Sequence, residues 1–235
     1  MLRDTAQETR FDPPGAMASP ANGRSWTCER PDNGLPVQAG GIGPTMPIAT
    51  VSGPVLARDM RPGMQVHTLY HGVQRVLWCG QERQLHAQGQ PSPVRLAPGA
   101  FGLSRRHGPG LLAPGQHLRV RHARNPVLFA ADDVLCRARD LVHLPGIQHV
   151  KSRYAVNWVH VLFDGLEIIP AGGLWLESMQ PDMPALRARH ADLAEAIEAA
   201  VPALRFHCGQ AAYARQMPVL NRAEVRLLGC QGMSV

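Results

Sequence analysis

Asn157-Trp158-Val159-His160-Val161-Leu162-Phe163-Asp164-Gly165-Leu166-Glu167-Ile168-Ile169-Pro170-Ala171-Gly172-Gly173-Leu174-Trp175-Leu176-Glu177-Ser178 holds the densest run of β-forming apolar residues in the chain. From Trp158 to Phe163 branched and aromatic side chains follow one another, broken only by His160. The run is too short for a helix and has the composition of a strand buried on both faces. Asp164-Gly165 is a dipeptide that tolerates positive φ, and the apolar pattern resumes at Leu166, Ile168 and Ile169, so the pair reads as a hairpin that ends at Gly172-Gly173. Asp164 is on this reading a turn residue, and His160 a satisfied core or interface histidine.

The rest of the chain agrees with a turn-rich, mainly β protein. With 235 residues there is room for one large β domain with additions. A hydrophobic fraction of 45% is ordinary for a globular protein, while 23 Gly and 21 Pro punctuate short strands and break helices. The net charge of +6 rests on dispersed arginines, Lys151 being the only lysine, and no basic cluster interleaved with aromatics tracks a phosphate backbone. A solvated basic surface is the expectation, with no nucleic-acid partner. Cys28, Cys79, Cys136, Cys208 and Cys230 are odd in number and widely spaced, which argues for separate thiols in a reducing compartment. Asp4, Glu8 and Arg10 interrupt any secretory core, and no apolar run nears the roughly 20 residues of a membrane span, so a cytoplasmic location is expected.

Ordered pieces begin at Pro47–Val51. Val55 to Gly63 follows, with Pro62-Gly63 at the centre of a type II turn. Strands are expected at Gln65–Leu69, at Gln74–Cys79 with Trp78 near its end, and at Pro93–Leu96. Pro114-Gly115 makes a corner that places His117 at the start of a strand, and Val134–Val142 reads as a helical turn or as a strand followed by one. After Ser178 the period lengthens. Asp182 caps a helix whose Leu186, His190, Leu193, Ile197 and Val201 share one face, with Glu195 and Glu198 opposite and Pro202 as its stop. Folding could gather His67, His71, His117 and His122, but their spacing gives no metal-ligand pattern, and neither metal nor cofactor is expected.

With these segments in order, the chain from about Gly41 to Leu228 resembles the bacterial Hint (hedgehog/intein) domains. The resemblance rests on Ile48-Ala49-Thr50, on Leu56 to Gly63, on Pro114 to His117, on Val159 to Ser178 and on the closing Pro218 to Leu228. It implies a horseshoe-shaped, mainly β fold with a carboxy-terminal helix. Residues 1–40, rich in turn dipeptides and without an apolar period, read as a disordered leader, followed by a Hint-type β domain at 41–182 and a helix with a closing strand packed on it at 183–235. The resemblance also implies self-processing, in which a first-position thiol or hydroxyl attacks the carbonyl before it and a corner histidine assists the departing amide nitrogen.

Read onto this sequence, the family's site is incomplete. The nucleophile position falls on Gly41, making Gly40-Gly41 the scissile pair, and Thr45 is the nearest hydroxyl. His117 matches the corner histidine, Pro114 stands where Thr or Ser is usual, and Leu166 stands where the F-D-x-H-E pattern has histidine. Glu177-Ser178 occupies the region where inteins end in His-Asn. Splicing is thus excluded more firmly than cleavage. A degenerate self-processing domain with His117 as a relic is the leading expectation. Its rival is a binding or scaffold module that holds a peptide segment in the former cleft.

Overall fold

The structure is a computed structural model that describes residues 40–85, 92–150 and 155–229, together with the backbone of 27–29. In its first half, β1 (Thr27–Glu29) precedes β2 (Pro47–Thr50), β3 (Gly53–Leu56), β4 (Gln65–Thr68), β5 (Gly72–Arg75), β6 (Trp78–Leu85) and β7 (Val94–Leu96). Next come β8 (Gly110–Leu112), β9 (His117–Arg121), the short helix α1 (Asn125–Phe129), β10 (Asp133–Arg137), β11 (Ile147–His149) and β12 (Ala155–Leu162). The remaining elements are β13 (Ile168–Ala171), β14 (Leu174–Glu177), α2 (Met183–Arg189), α3 (Ala191–Ala200), β15 (Val219–Leu220) and α4 (Arg222–Leu228).

Nine strands form one sheet in the order β15-β10-β9-β14-β13-β2-β4-β5 with β3 added to β2, and the sheet curls into a half-barrel. This is the mainly β architecture expected from the sequence, with helices gathered near the carboxy terminus. A second sheet, β1-β6-β12, is built on the eight-residue antiparallel pairing of β6 with β12, and a third joins β11, β7 and β8. Of the amino-terminal segment 1–40, Thr27–Glu29 lies parallel to β6 with Cys28 opposite Glu82. The rest of that segment up to residue 39 lies outside the described residues.

β12 is buried on both faces because strand side chains alternate. Val159, Val161 and Phe163 enter the main core with Ile42, Leu118, Ile169 and Leu176, whereas Leu162 faces a second core built from Trp78, Met183, Leu186, Ile197, Leu204 and Tyr213. His160 shares the parity of Leu162. Its placement at the edge of the second core follows from that alternation.

Three local expectations are corrected. β12 and β13 do not pair: β12 belongs with β6, and β13 pairs with β14 and β2. Asp164-Gly165 is therefore a bend between sheets, and Gly165 has no positive φ. The hairpin turn is Gly172-Gly173, whose φ values of 65° and 96° fit a type I′ turn between Ala171 and Leu174. Trp78 begins a strand instead of ending one. The apolar run from Gln74 to Cys79 crosses between sheets, since β5 pairs with β4 and the Leu77 N–H already donates to the Leu162 carbonyl. The expected single helix is two, broken at His190 (φ −143°, ψ 62°). Its N–H donates to the Leu186 carbonyl and its own carbonyl accepts from Ala194, so His190 closes α2 and opens α3 at once. Pro202 then opens a short 3₁₀ turn, Pro202–Arg205.

Candidate functional site

The site is built on the corner that precedes β9. Gln116 N–H closes a turn on the Ala113 carbonyl at 3.0 Å, and the chain then enters β9 with His117 buried. The Gln116 side chain is fully engaged. Its Oε1 accepts the Gly41 N–H at 2.7 Å, and its Nε2 donates to the carbonyls of His117 at 3.1 Å and Glu177 at 2.8 Å. A buried amide satisfied in this way fixes everything it touches.

Gly41 is held from the other side as well. Its carbonyl accepts from Ala113 N–H at 2.9 Å, and Ile42 exchanges both backbone hydrogen bonds with Val159 at 3.0 and 2.8 Å. The segment from 41 to 43 is thus clamped between β8 and β12. A Cβ added at Gly41 would lie 2.8 Å from Trp158 Cβ and 3.0 Å from its Cγ, and one at Gly40 would lie 2.6 Å from Gln116 Oε1. Neither position has room for a side chain as the chain stands.

Register brings a carboxylate to His117. Leu176 of β14 lies opposite Leu118 of β9, which sets Glu177 beside the histidine. His117 Nδ1 is 2.8 Å from Glu177 Oε2, and Arg215 grips the same carboxylate through Nε to Oε1 at 2.8 Å and Nη2 to Oε2 at 3.0 Å. Burial alone would raise the Glu177 carboxyl, but the hydrogen bonds and charges of His117 and Arg215 hold it below the ordinary carboxylate range. With Nδ1–H directed at Glu177, Nε2 of His117 is buried without a partner among the described residues.

These groups open on a cavity of about 430 Å³. Gly40, His117, His160, Glu177, Ser178 and Arg215 line it, with Arg137 and the α2 residues Ala185, Leu186 and Arg189 on the remaining walls. His160 is buried and its Nε2 lies 3.3 Å from Glu82 Oε2, a second imidazole–carboxylate pair on the same cavity. Ser178 is the one hydroxyl in this lining, and its Oγ already accepts the Glu167 N–H at 3.0 Å. The arrangement supplies an oriented imidazole and a set of cations, with no thiol in the lining and Ser178 as its one hydroxyl.

A sequence-family model described as the Hint domain matches residues 44–183, more than half of the chain. The chain belongs to the Hint-domain family. No curated protein matches it. Membership relates the chain to self-processing domains, and the match covers every strand from β2 to β14.

The Hint-family positions read from the sequence do not all meet. His117 lines the cavity and Gly41 is bonded to its Gln116 wall. Pro114 is buried beside them, its carbonyl accepting from Arg139 N–H at 3.1 Å, without lining the cavity. Leu166 lines a separate cleft of about 20 Å³ with Tyr70, His71 and Met217, and Asp164 is exposed. Glu177 and Arg215 line both spaces. The four histidines considered as metal ligands part company: His67 is exposed, His71 bonds Glu167, His117 bonds Glu177, and His122 Nδ1 accepts from the Arg124 N–H. Among the described residues no group of His, Cys, Asp and Glu could hold a metal ion, and no helix is long and apolar enough to cross a membrane. The described cysteines, Cys79, Cys136 and Cys208, are free.

Gln116, Glu177 and Arg215 were missed as site residues. Glu177 had a signal, since a charge next to the apolar Leu174-Trp175-Leu176 of a buried strand calls for a partner. Arg215 had none, because the stretch around it carries no period.

Proposed function

We propose that this chain is a Hint domain of self-processing descent that has lost acyl transfer. The observation that carries the reading is the clamped, side-chain-free Gly41, packed so closely on Trp158 that a nucleophile there would collide with it. Self-processing needs a thiol or hydroxyl at that point, within reach of the preceding carbonyl. His117 by itself supplies only proton transfer. The full-length protein is expected to keep its intact mass on prolonged incubation with dithiothreitol or hydroxylamine. Release of a fragment ending at Gly40 overturns the reading.

A second reading is supported by the cavity beside Gly40, which is open, lined by a mixture of cations and apolar side chains, and of a size that suits a small ligand or peptide end. In that reading the cleft that holds the scissile peptide in active relatives holds a partner segment.

A further inference from the structure

The cavity at His117 carries a surplus of cationic and hydrogen-bonding groups with nothing to bind. Of its carboxylates, Glu177 is neutralised by Arg215 and His117, while Asp182, exposed, accepts the Ala185 N–H that it caps at 3.1 Å. Two of its three arginines are not neutralised in this way. The guanidinium groups of Arg137, half-buried at the end of β10, and Arg189, exposed at the end of α2, have no hydrogen-bond or ion-pair partner among the described residues. Two imidazole nitrogens add to this. His117, 6% exposed, and His190 each leave Nε2 buried and unpartnered, and both residues line the cavity. A buried polar nitrogen without a partner is destabilising.

We propose that this cavity binds a carboxylate carried on a small apolar body, such as the last residue of a peptide with a free carboxy terminus. The charge is recognised by the guanidinium groups of Arg137 and Arg189, with His117 and His190 beside them on the cavity wall. The apolar body is recognised by Met179, Ala185 and Leu186, which line the same space. A bare phosphate would leave that wall wet. The inference concerns the cavity of the second functional reading and does not need self-processing to be absent, so the mass measurement and the binding measurement fail independently.

The test is isothermal titration of the full-length protein with N-acetyl-leucine, a short acetylated glycine peptide ending in leucine, the carboxamide of each, and inorganic phosphate. Both acids are expected to bind saturably, and each amide to bind about tenfold more weakly or worse, the factor expected from losing a charge-assisted hydrogen bond. Arg137→Gln is expected to weaken both acids by about as much, while Arg75→Gln, exposed on β5 away from the cavity, leaves them unchanged. Tighter binding of the peptide acid identifies a peptide terminus as the source of the carboxylate, and tighter binding of N-acetyl-leucine identifies a small acid. Either result supports the proposal. Equal binding of acid and amide, absence of saturable binding, indifference to Arg137→Gln with retained circular dichroism, or phosphate binding more tightly than either acid overturns it.

Discussion

A carboxylate taken out of water costs several kcal/mol unless its charge and its lone pairs are both met. Glu177, 5% exposed, meets them with Arg215 on two atoms and His117 on one. Because its folded-state carboxyl is held below the ordinary value, its contribution to stability is complete above the unfolded value of about 4.3 and is lost as pH falls through the lower folded one. The melting temperature should therefore fall on acidification below about pH 4.3, and Glu177→Gln should flatten that fall while lowering stability at neutral pH. An acid limb as steep in the variant as in the parent would show that Glu177 is not the group responsible. The place of His117 at the start of β9 was legible because a Pro-Gly corner precedes it, whereas its reading as a site histidine rested on the resemblance. Its partners were not legible, since Glu177 and Arg215 lie 38 positions apart and meet only through tertiary packing.

At the scale of elements, the bend at Asp164 decides how the two cores are joined. Tyr213, from the 3₁₀ segment His207–Tyr213, donates its hydroxyl to the Phe163 carbonyl at 2.6 Å, and the Leu166 N–H donates to the Ala212 carbonyl at 3.0 Å. The edge of β12 away from β6 is taken by Ile42 at Val159 and by the Met179 N–H on the Val161 carbonyl, which leaves a returning strand nothing to pair with. This is why β12 and β13 part into different sheets, although the apolar runs and the Asp-Gly dipeptide between them fit a hairpin. Burial, and after it the charge of Asp164, pushes the Tyr213 phenol up, so the hydroxyl stays protonated as a donor. Tyr213→Phe leaves the Phe163 carbonyl short of a partner and should cost about 1–3 kcal/mol in urea unfolding. A cost near zero would mean that the segment is held by apolar packing alone. Strands with their own period, such as β2, β4 and β7, were readable from the sequence. The helix pattern was readable too, but not its break at His190, because the spacing of Leu186, Leu193 and Ile197 is the same whether or not one residue leaves helical geometry.

For the whole molecule the question is whether the site is a decayed version of a working one or has taken another shape. Decay alone would leave the scaffold intact, and Gly41→Cys, Pro114→Thr and Leu166→His together would then restore thiol-dependent cleavage. The geometry points the other way. A side chain at residue 41 has to displace Trp158, which is 1% exposed and donates its indole N–H to Gln84 Oε1 at 2.7 Å, so the strain is expected to cost about 1–3 kcal/mol. A histidine at residue 166 would enter the cleft with Tyr70, His71 and Met217, whose lining includes neither Gly40 nor His117. Catalytic groups that act as a unit contribute little unless all of them converge. We therefore expect the triple variant to fold, to melt at a lower temperature than the parent, and to remain at full-length mass after incubation with dithiothreitol. Cleavage after Gly40 in the triple variant, with none in Gly41→Cys alone, would show instead that the cleft still adjusts to a working geometry once its side chains are returned.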